Sequence, residues 1–472
     1  MDNRSEIWRG VDEIKARFVT LADRVWATPE VCYTEEKSAA EHTAELEHQG
    51  FRITRNLAGI PTAVMGEAGD GGPVIAFLGE YDALPGLSQE AGVAEHRPVE
   101  TGGHGHGCGH NLLGSASLLA ATALKDWLAE TGTPGRVRYY GCPAEEGGAA
   151  KAFIVRSGAL DDADIALCWH PASVWEVIKD PALANTRADF IFTGRTSHAA
   201  ATPHLGRSAL DAVELMNVGV NYMREHMPSD ARIHYAVLET GGIAPNVVQA
   251  HARVRYSIRA RDLPGMTELV ERVRKVAQGA ALMTETHVDM KVVSAVSNMM
   301  PNTPLERALH DIMEELGTPH FDDADRAFAR DIQKTLTAQD IAATFYKIGM
   351  EPTDQSLADF TVPLDADRHP LIGSTDVGDV SWVVPTVQAH APTWAIGTPA
   401  HTWQVVAQGK SPHAHKAMVH VAKALAALGV RAITDPGLIE AARADLQRRT
   451  ARTPYVSPLP KGIEPPLAMS RI

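Results

Sequence analysis

The sequence predicts an α/β fold: a mixed sheet with helices on both faces, interrupted by an inserted ferredoxin-like α+β unit. Two observations predict it. Short β-like runs alternate with amphipathic helical stretches through residues 1–183 and helices return over 298–472. Between them, over 184–297, the order changes to β-α-β-β-α-β, that of a split βαβ unit. The expected organisation is therefore a catalytic unit in two parts, 1–183 and 298–472, around a lid or dimerisation unit at 184–297.

Residues 5–26 place Ile7, Val11, Ile14, Phe18, Leu21 and Val25 at helical spacing. A second helix covers 37–49 and stops at Gly50. The runs FRITRN, TAVMGE and PVIAFLGE read as strands, 112–130 as a long helix, and RVRYYG and DIALCW as two further strands. In the insert, ADFIFTG, RIHYAVLE, ARVRYSIRA and VDMKVVSAV read as strands, with helices at 206–225 and 266–280. After 300 come helices, a Gly-rich stretch and a last long helix at 413–431. The polar, Pro-containing segment 349–373 reads as an irregular excursion, and the Pro-rich tail as extended against the surface or mobile.

The chain has 472 residues, 44% hydrophobic and 22% charged, enough for sizeable cores. Its 44 basic and 58 acidic residues leave a formal charge of -14, which argues against a nucleic-acid partner. No apolar run reaches the length of a membrane span, and the charged N-terminus MDNRSEIWRG does not resemble a secretory leader. Four cysteines are too sparse for a disulfide framework, so the expected compartment is the cytoplasm.

Five segments carry metal-competent side chains at strand ends or turns. GGHGHGCGHN (102–111) is half glycine and presents Cys108 and His110 together; a thiolate and an imidazole are both ligands for zinc or manganese. In CPAEEGG (142–148), adjacent carboxylates at a strand end point apart, so Glu146 can bind metal while Glu145 faces substrate as a general base. DIALCWHP ends at His170, FLGEYDALPG carries Glu80 and Asp82, and GTPAHTWQ sets His401 in a tight turn before the last strand and helix. Taken singly, each has a bland reading: a flexible loop, a surface Glu pair, a structural histidine. The set is what argues for a metal site beyond the carboxyl ends of the strands.

CGHN, PAEEGG, CWHP, GRTSHAAATPH and GTPAHT, in this order, resemble the M20 metallopeptidase family. They are most similar to its amidohydrolase branch, which includes indole-acetyl-amino-acid and aminobenzoyl-glutamate hydrolases. GEYDALPG and STDVGDVSWVVPTVQ look closest to the B-type of the latter. The resemblance runs from PEVCYTEEKSA to the last helix. It implies an M20-like catalytic fold holding two divalent ions, manganese or zinc, with Cys108, His110, Glu146, His170 and His401 as ligands. It further implies Glu145 as the base, Asp82 as the carboxylate orienting a ligand, and His198 and Asn246 of the insert as substrate contacts, His198 acting across a dimer. His204 is a further candidate contact. Two departures stand out: Glu80 occupies a place where many of these peptidases have a histidine ligand, and Asn111 one where the branch usually has Asp. His104 and His106 are expected to be solvent-exposed loop residues.

The reaction implied is hydrolysis of the amide of an N-acyl amino acid, with p-aminobenzoyl-glutamate as the best expectation. A dipeptidase or carboxypeptidase of the same family is the alternative, followed by a non-catalytic binding protein of the same fold. A cysteine hydrolase using Cys108 is a further reading. A homodimer is expected, with a related partner chain as a second possibility.

Overall fold

The computed structural model describes residues 3–179, 181–369 and 373–470. Helix α1 (Asn3–Trp26) buries Ile7, Val11, Phe18, Leu21 and Val25, the stripe read from its spacing. Helix α2 (Glu36–His48) is followed by Gly50 at φ 78°, a conformation glycine adopts without a Cβ penalty. Strands β1 (Arg52–Arg55), β2 (Val64–Asp70) and β3 (Val74–Glu80) come next, and all of β3 is buried. Such continuous burial marks a central strand covered on both faces.

Helix α3 (His110–Thr131) starts two residues earlier than the sequence suggested, so His110 is its first residue. Strand β4 (Gly135–Cys142), helix α4 (Ala150–Arg156), strand β5 (Ile165–Ala172) and the two-residue β6 (Glu176–Val177) follow. Strand β5 continues two residues beyond His170 rather than ending there.

The next elements are β7 (Ala184–Thr193), α5 (Ala209–Met223), β8 (Arg232–Glu239), β9 (His251–Ala260), α6 (Leu263–Thr284) and β10 (His287–Val296). The four strands pair antiparallel in the order β10-β7-β9-β8, and both helices pack on the sheet. Phe190, Phe192, Met216, Val254, Tyr256 and Val273 belong to a core of its own. Caps set the helix starts: Ser208 accepts from Asp211 N and Asp262 from Gly265 N. Helix α5 is therefore shorter than the 206–225 expected, because Ser208 stops it.

Helices α7 (Thr303–Leu316), α8 (Asp323–Gln333), α9 (Ala338–Ile348) and α10 (Val377–Val383) precede strand β11 (Thr386–Pro392). Helices α11 (Trp403–Gln408), α12 (Pro412–Thr434) and α13 (Pro436–Thr450) close the chain. Two expectations need correction. The strand near His401 lies before it, as β11, hidden in the sequence by flanking prolines, and α11 follows directly. Of the excursion at 349–373, residues 370–372 lie outside the described residues, and the rest is irregular. The tail is anchored where described: Tyr455 Oη donates to Asp379 Oδ1 at 2.8 Å and Leu459 is buried. Helix α12 alone among the described helices is long and apolar enough to cross a membrane. With 78% of its apolar window buried, mainly against α1 and α3, it serves as a core helix.

The main sheet runs β1-β2-β4-β3-β5-β11-β6. Strands β4, β3, β5 and β11 are mutually parallel and the outer pairs antiparallel. The chain builds β4 on one side of β3 and β5 on the other, opening a crevice at the carboxyl ends of these strands.

Candidate active site

The five metal-competent segments meet in that crevice. Glu80 is the last residue of β3, and Asp82 follows two residues on. The Glu145–Glu146 turn follows β4, flanked by Ala144 and Ala149, both left-handed at φ 55° and 57°. Such strain persists only where surroundings enforce it. Here Glu35 accepts from Ala144 N at 2.9 Å and Asp82 Oδ2 from Glu146 N at 3.0 Å.

His110 is oriented by Asp82: Nδ1 lies 2.9 Å from Asp82 Oδ1, so Nε2 faces the crevice with its lone pair. Its neighbour Gly109, at φ 74°, packs against Pro171, and a Cβ there would stand 2.9 Å from the ring. His170 reaches in from β5. The ligand atoms of Cys108, Glu146 and His401 lie within 4.8 Å of one another, as do those of His110, Glu145 and Glu146, and those of Glu80, His110 and His170. His401 Nε2 stands 3.3 Å from Glu146 Oε2. Ligand atoms around a tetrahedral ion with bonds near ~2.1 Å stand roughly 3.4 Å apart. His401 is itself left-handed at φ 61°, held by a backbone hydrogen bond from its N to Gly107 O.

The electrostatics ask for cations. Burial, and then the charge of Glu145, push the Glu146 carboxyl up to about 8. Burial and then Glu80 raise Glu145. Glu146 Oε1 and His110 Nε2 are buried without hydrogen-bond partners, aimed into the shared space. Lone pairs and carboxylates gathered in a dry pocket suit divalent ions. Burial also raises the Cys108 thiol, so without a cation it is not a thiolate nucleophile, which weighs against a cysteine hydrolase.

Other residues fall outside the cluster. Asn111 donates through Nδ2 to Gly409 O at 3.0 Å and Ala22 O at 3.4 Å, a structural tie rather than a metal contact. His104 is exposed, as expected, but His106 is 1% exposed and its Nε2 sits 3.1 Å from Val25 O. The glycines around His106 suggested an open loop; the fold packs that loop against α1. His198, His204 and Asn246 are exposed on the second sheet's connections and do not line the cleft at the metal-competent cluster. His198 and Asn246 are neighbours there, with Ala199 N donating to Asn246 O at 2.9 Å. Sequence reading missed Lys151 and Asp376, both fully buried beside the site and hydrogen-bonded at 2.6 Å. The apolar helix around Lys151 gave no sign of them.

A cleft of about 260 Å³ opens over Cys108, Glu145, Glu146, His170 and His401. Beyond Cys108 and His170 it adjoins a hollow of about 480 Å³ lined by Pro171, Val174, Ile348 and Trp394. Lys347 and His390 border both.

An α/β fold with paired metal-ligand groups and a neighbouring glutamate at its strand ends has the parts of a metal-dependent hydrolase. Residues 76–359 match peptidase family M20/M25/M40, and the chain belongs to that family. It is 46% identical to the B-type chain of p-aminobenzoyl-glutamate hydrolase from Escherichia coli (strain K12), over 98% of this chain and 99% of that protein. It is 28% identical to the Xaa-Arg dipeptidase of Mus musculus over 93% of this chain and 90% of that one. The crystal structure of the aminobenzoyl-glutamate utilization protein from Klebsiella pneumoniae shares the fold, at TM-score 0.56 and 17% identity over 86% of this chain and 96% of that one.

Proposed function

We propose that this chain hydrolyses the amide bond of an N-acyl amino acid, with p-aminobenzoyl-glutamate as substrate. The convergence of Cys108, His110, Glu146, His170 and His401 around a crevice edged by Glu145 carries the reading. Its support at the level of substrate is the 46% identity to a hydrolase named for that compound. The apolar hollow beside Cys108, with Trp394 in its wall, suits an aromatic acyl group.

Cys108, Glu146 and His401 would hold one divalent ion, and His110 and His170 a second, manganese or zinc being the best match to mixed N, O and S donors. When bound, such ions supply Lewis acidity for the amide carbonyl and bring the pKa of water from about 16 to roughly 7. Glu145 takes the proton of the attacking water and hands it to the leaving amine; its raised proton affinity fits that double task. Asp82 holds the His110 ring in place. His198, His204 and Asn246, exposed in a single chain, would meet substrate from a second protomer. In support of a homodimer, β8 is an edge strand with Tyr235, Val237 and Leu238 exposed, and Leu215, Val218 and Tyr222 of α5 are exposed as well. The E. coli relative is one of two differently named chains of its hydrolase, which makes a related partner chain a second assembly to test. A cytoplasmic location accords with the free cysteines Cys32, Cys108, Cys142 and Cys168.

The dipeptidase reading keeps standing through the full-length likeness to Xaa-Arg dipeptidase. Hydrolysis of p-aminobenzoyl-glutamate and of a set of Xaa-Arg dipeptides, each with and without chelator, separates the two. Chelator-sensitive release of p-aminobenzoate is the expected result. Cleavage of dipeptides alone would replace the substrate, and chelator-insensitive cleavage would end the metal mechanism.

A further inference from the structure

The geometry points to Glu80 as a metal ligand in its own right, completing the His110–His170 group, with Lys151 and Asp376 as the residues that position it. The inference rests on the metal-dependent reading above and adds a donor to it.

Glu80 is fully buried at the end of β3 and its two oxygens have different fates. Oε1 accepts from Lys151 Nζ at 2.6 Å. Lys151 is itself anchored twice to Asp376, through Nζ to Oδ1 at 2.6 Å and through its backbone N to Oδ2 at 2.9 Å. Oε2 faces only the two imidazoles, His110 Nε2 at 3.1 Å and His170 Nε2 at 3.3 Å. His110 Nδ1 is committed to Asp82, so its Nε2 presents a lone pair to a carboxylate oxygen in a dry pocket. Two such atoms repel unless a proton or a metal cation stands between them, and a divalent ion can take the protons' place.

The spacing fits a cation. Three donors separated by 3.1 and 3.3 Å match the edge of a coordination polyhedron with bonds of about 2.0–2.2 Å. Lys151 satisfies Oε1, while Oε2 stands at ligand-to-ligand distance from both imidazoles, a place that protons fill in the metal-free chain and a divalent ion can fill in the loaded one. Charge points the same way: the Lys151 ammonium faces Asp376, Glu80 and Glu145, and Asp82 and Glu146 add further carboxylates beside Glu145 and Glu80. Lys151 thus acts as a fixed peg, locking the rotation of Glu80 so that its second oxygen stays aimed at the two histidines. Without Glu80 that group would have two imidazoles alone.

Two measurements test this. Glu80→Gln removes the charge at nearly constant shape and leaves Lys151 paired with Asp376. Ion content after dialysis, and a Co(II) titration followed by absorbance, are expected to show one ion weakened by at least about tenfold and the other retained. Crystals of wild-type protein loaded with zinc, with anomalous scattering locating the ion, need no variant to fold. Glu80 Oε2 is expected within about 2.2 Å of an ion. An ion on His110 and His170 with Glu80 Oε2 beyond bonding distance, or unchanged binding in folded Glu80→Gln, would reduce Glu80 to a partner of Lys151 while leaving the metal mechanism intact. Wild-type protein that takes up no ion would overturn both.

Discussion

The Asp82 carboxylate lies 2.9 Å from Nδ1 of His110, and that contact decides which nitrogen of the imidazole faces the crevice. The other Asp82 oxygen accepts from Glu146 N, so one side chain orients groups on two segments. Replacing Asp82 by Asn keeps the shape but removes the charge that favours this tautomer. Metal affinity is expected to fall by about 10–100-fold with the fold preserved. Competition titration against a chelating dye measures it, and wild-type affinity in Asp82→Asn would remove the orienting role.

Glu145 borders the cleft without being needed to hold an ion in the proposed scheme. Glu145→Gln is expected to lower kcat by about 10³-fold while ion content stays near normal. Elemental analysis beside the rate assay distinguishes a lost base from a lost ligand.

The ligand atoms of Cys108, Glu146 and His401 lie within 4.8 Å of one another. Cys108→Ala should lower bound metal and activity together, because a thiolate donor is gone. Full ion content in that variant would take Cys108 out of the ligand set.

Asn111 makes the opposite prediction. Its side chain ties the start of α3 to carbonyls of α1 and of Gly409. Asn111→Ala should cost about 1–3 kcal/mol of stability by leaving buried carbonyls without their donor. Ion content should not change; a drop would mean that it contributes to the site after all.

The metal-free protein should respond to pH with a definite sign. Burial, with neighbouring carboxylates, pushes Glu35 and Glu146 up to about 8, and Asp376 to about 7. At these three groups the folded chain holds more protons than the unfolded one from the ordinary carboxyl range up to about 8. Stability conferred by those protons is present at low pH and lost as pH rises through that window. Buried His42, His106, His413 and His420, pushed down to between about 3 and 4, give the opposite slope below about pH 7. The thermal midpoint of chelator-treated protein should fall between about pH 7 and 8, above the range of the histidines, and divalent ions, taking the place of the protons, should flatten the slope. Scanning calorimetry with and without chelator reads this directly. Identical slopes would show that no ion compensates these carboxylates.

Much of the fold was legible because hydrophobic spacing is local. The stripe of α1, the buried run of β3 and the β-α-β-β-α-β order of the second sheet all follow from which residues alternate with which. Strand β11 was not legible, because Pro385 and Pro392 bracket it and its partners β5 and β6 lie some two hundred residues away. The loop of His106 was misread for a related reason: glycine content signals freedom, whereas burial of that loop is set by α1, distant in the chain.

By itself the sequence determined the donor types, their order and the family resemblance, since these need only residue identity and spacing. The tertiary structure alone decided which donors share a space, which nitrogen of His110 faces it, and that Lys151 and Asp376 stand behind Glu80. Those are relations between atoms brought together from separate strands and loops. Burial then sets their charge through desolvation, and no linear pattern encodes that.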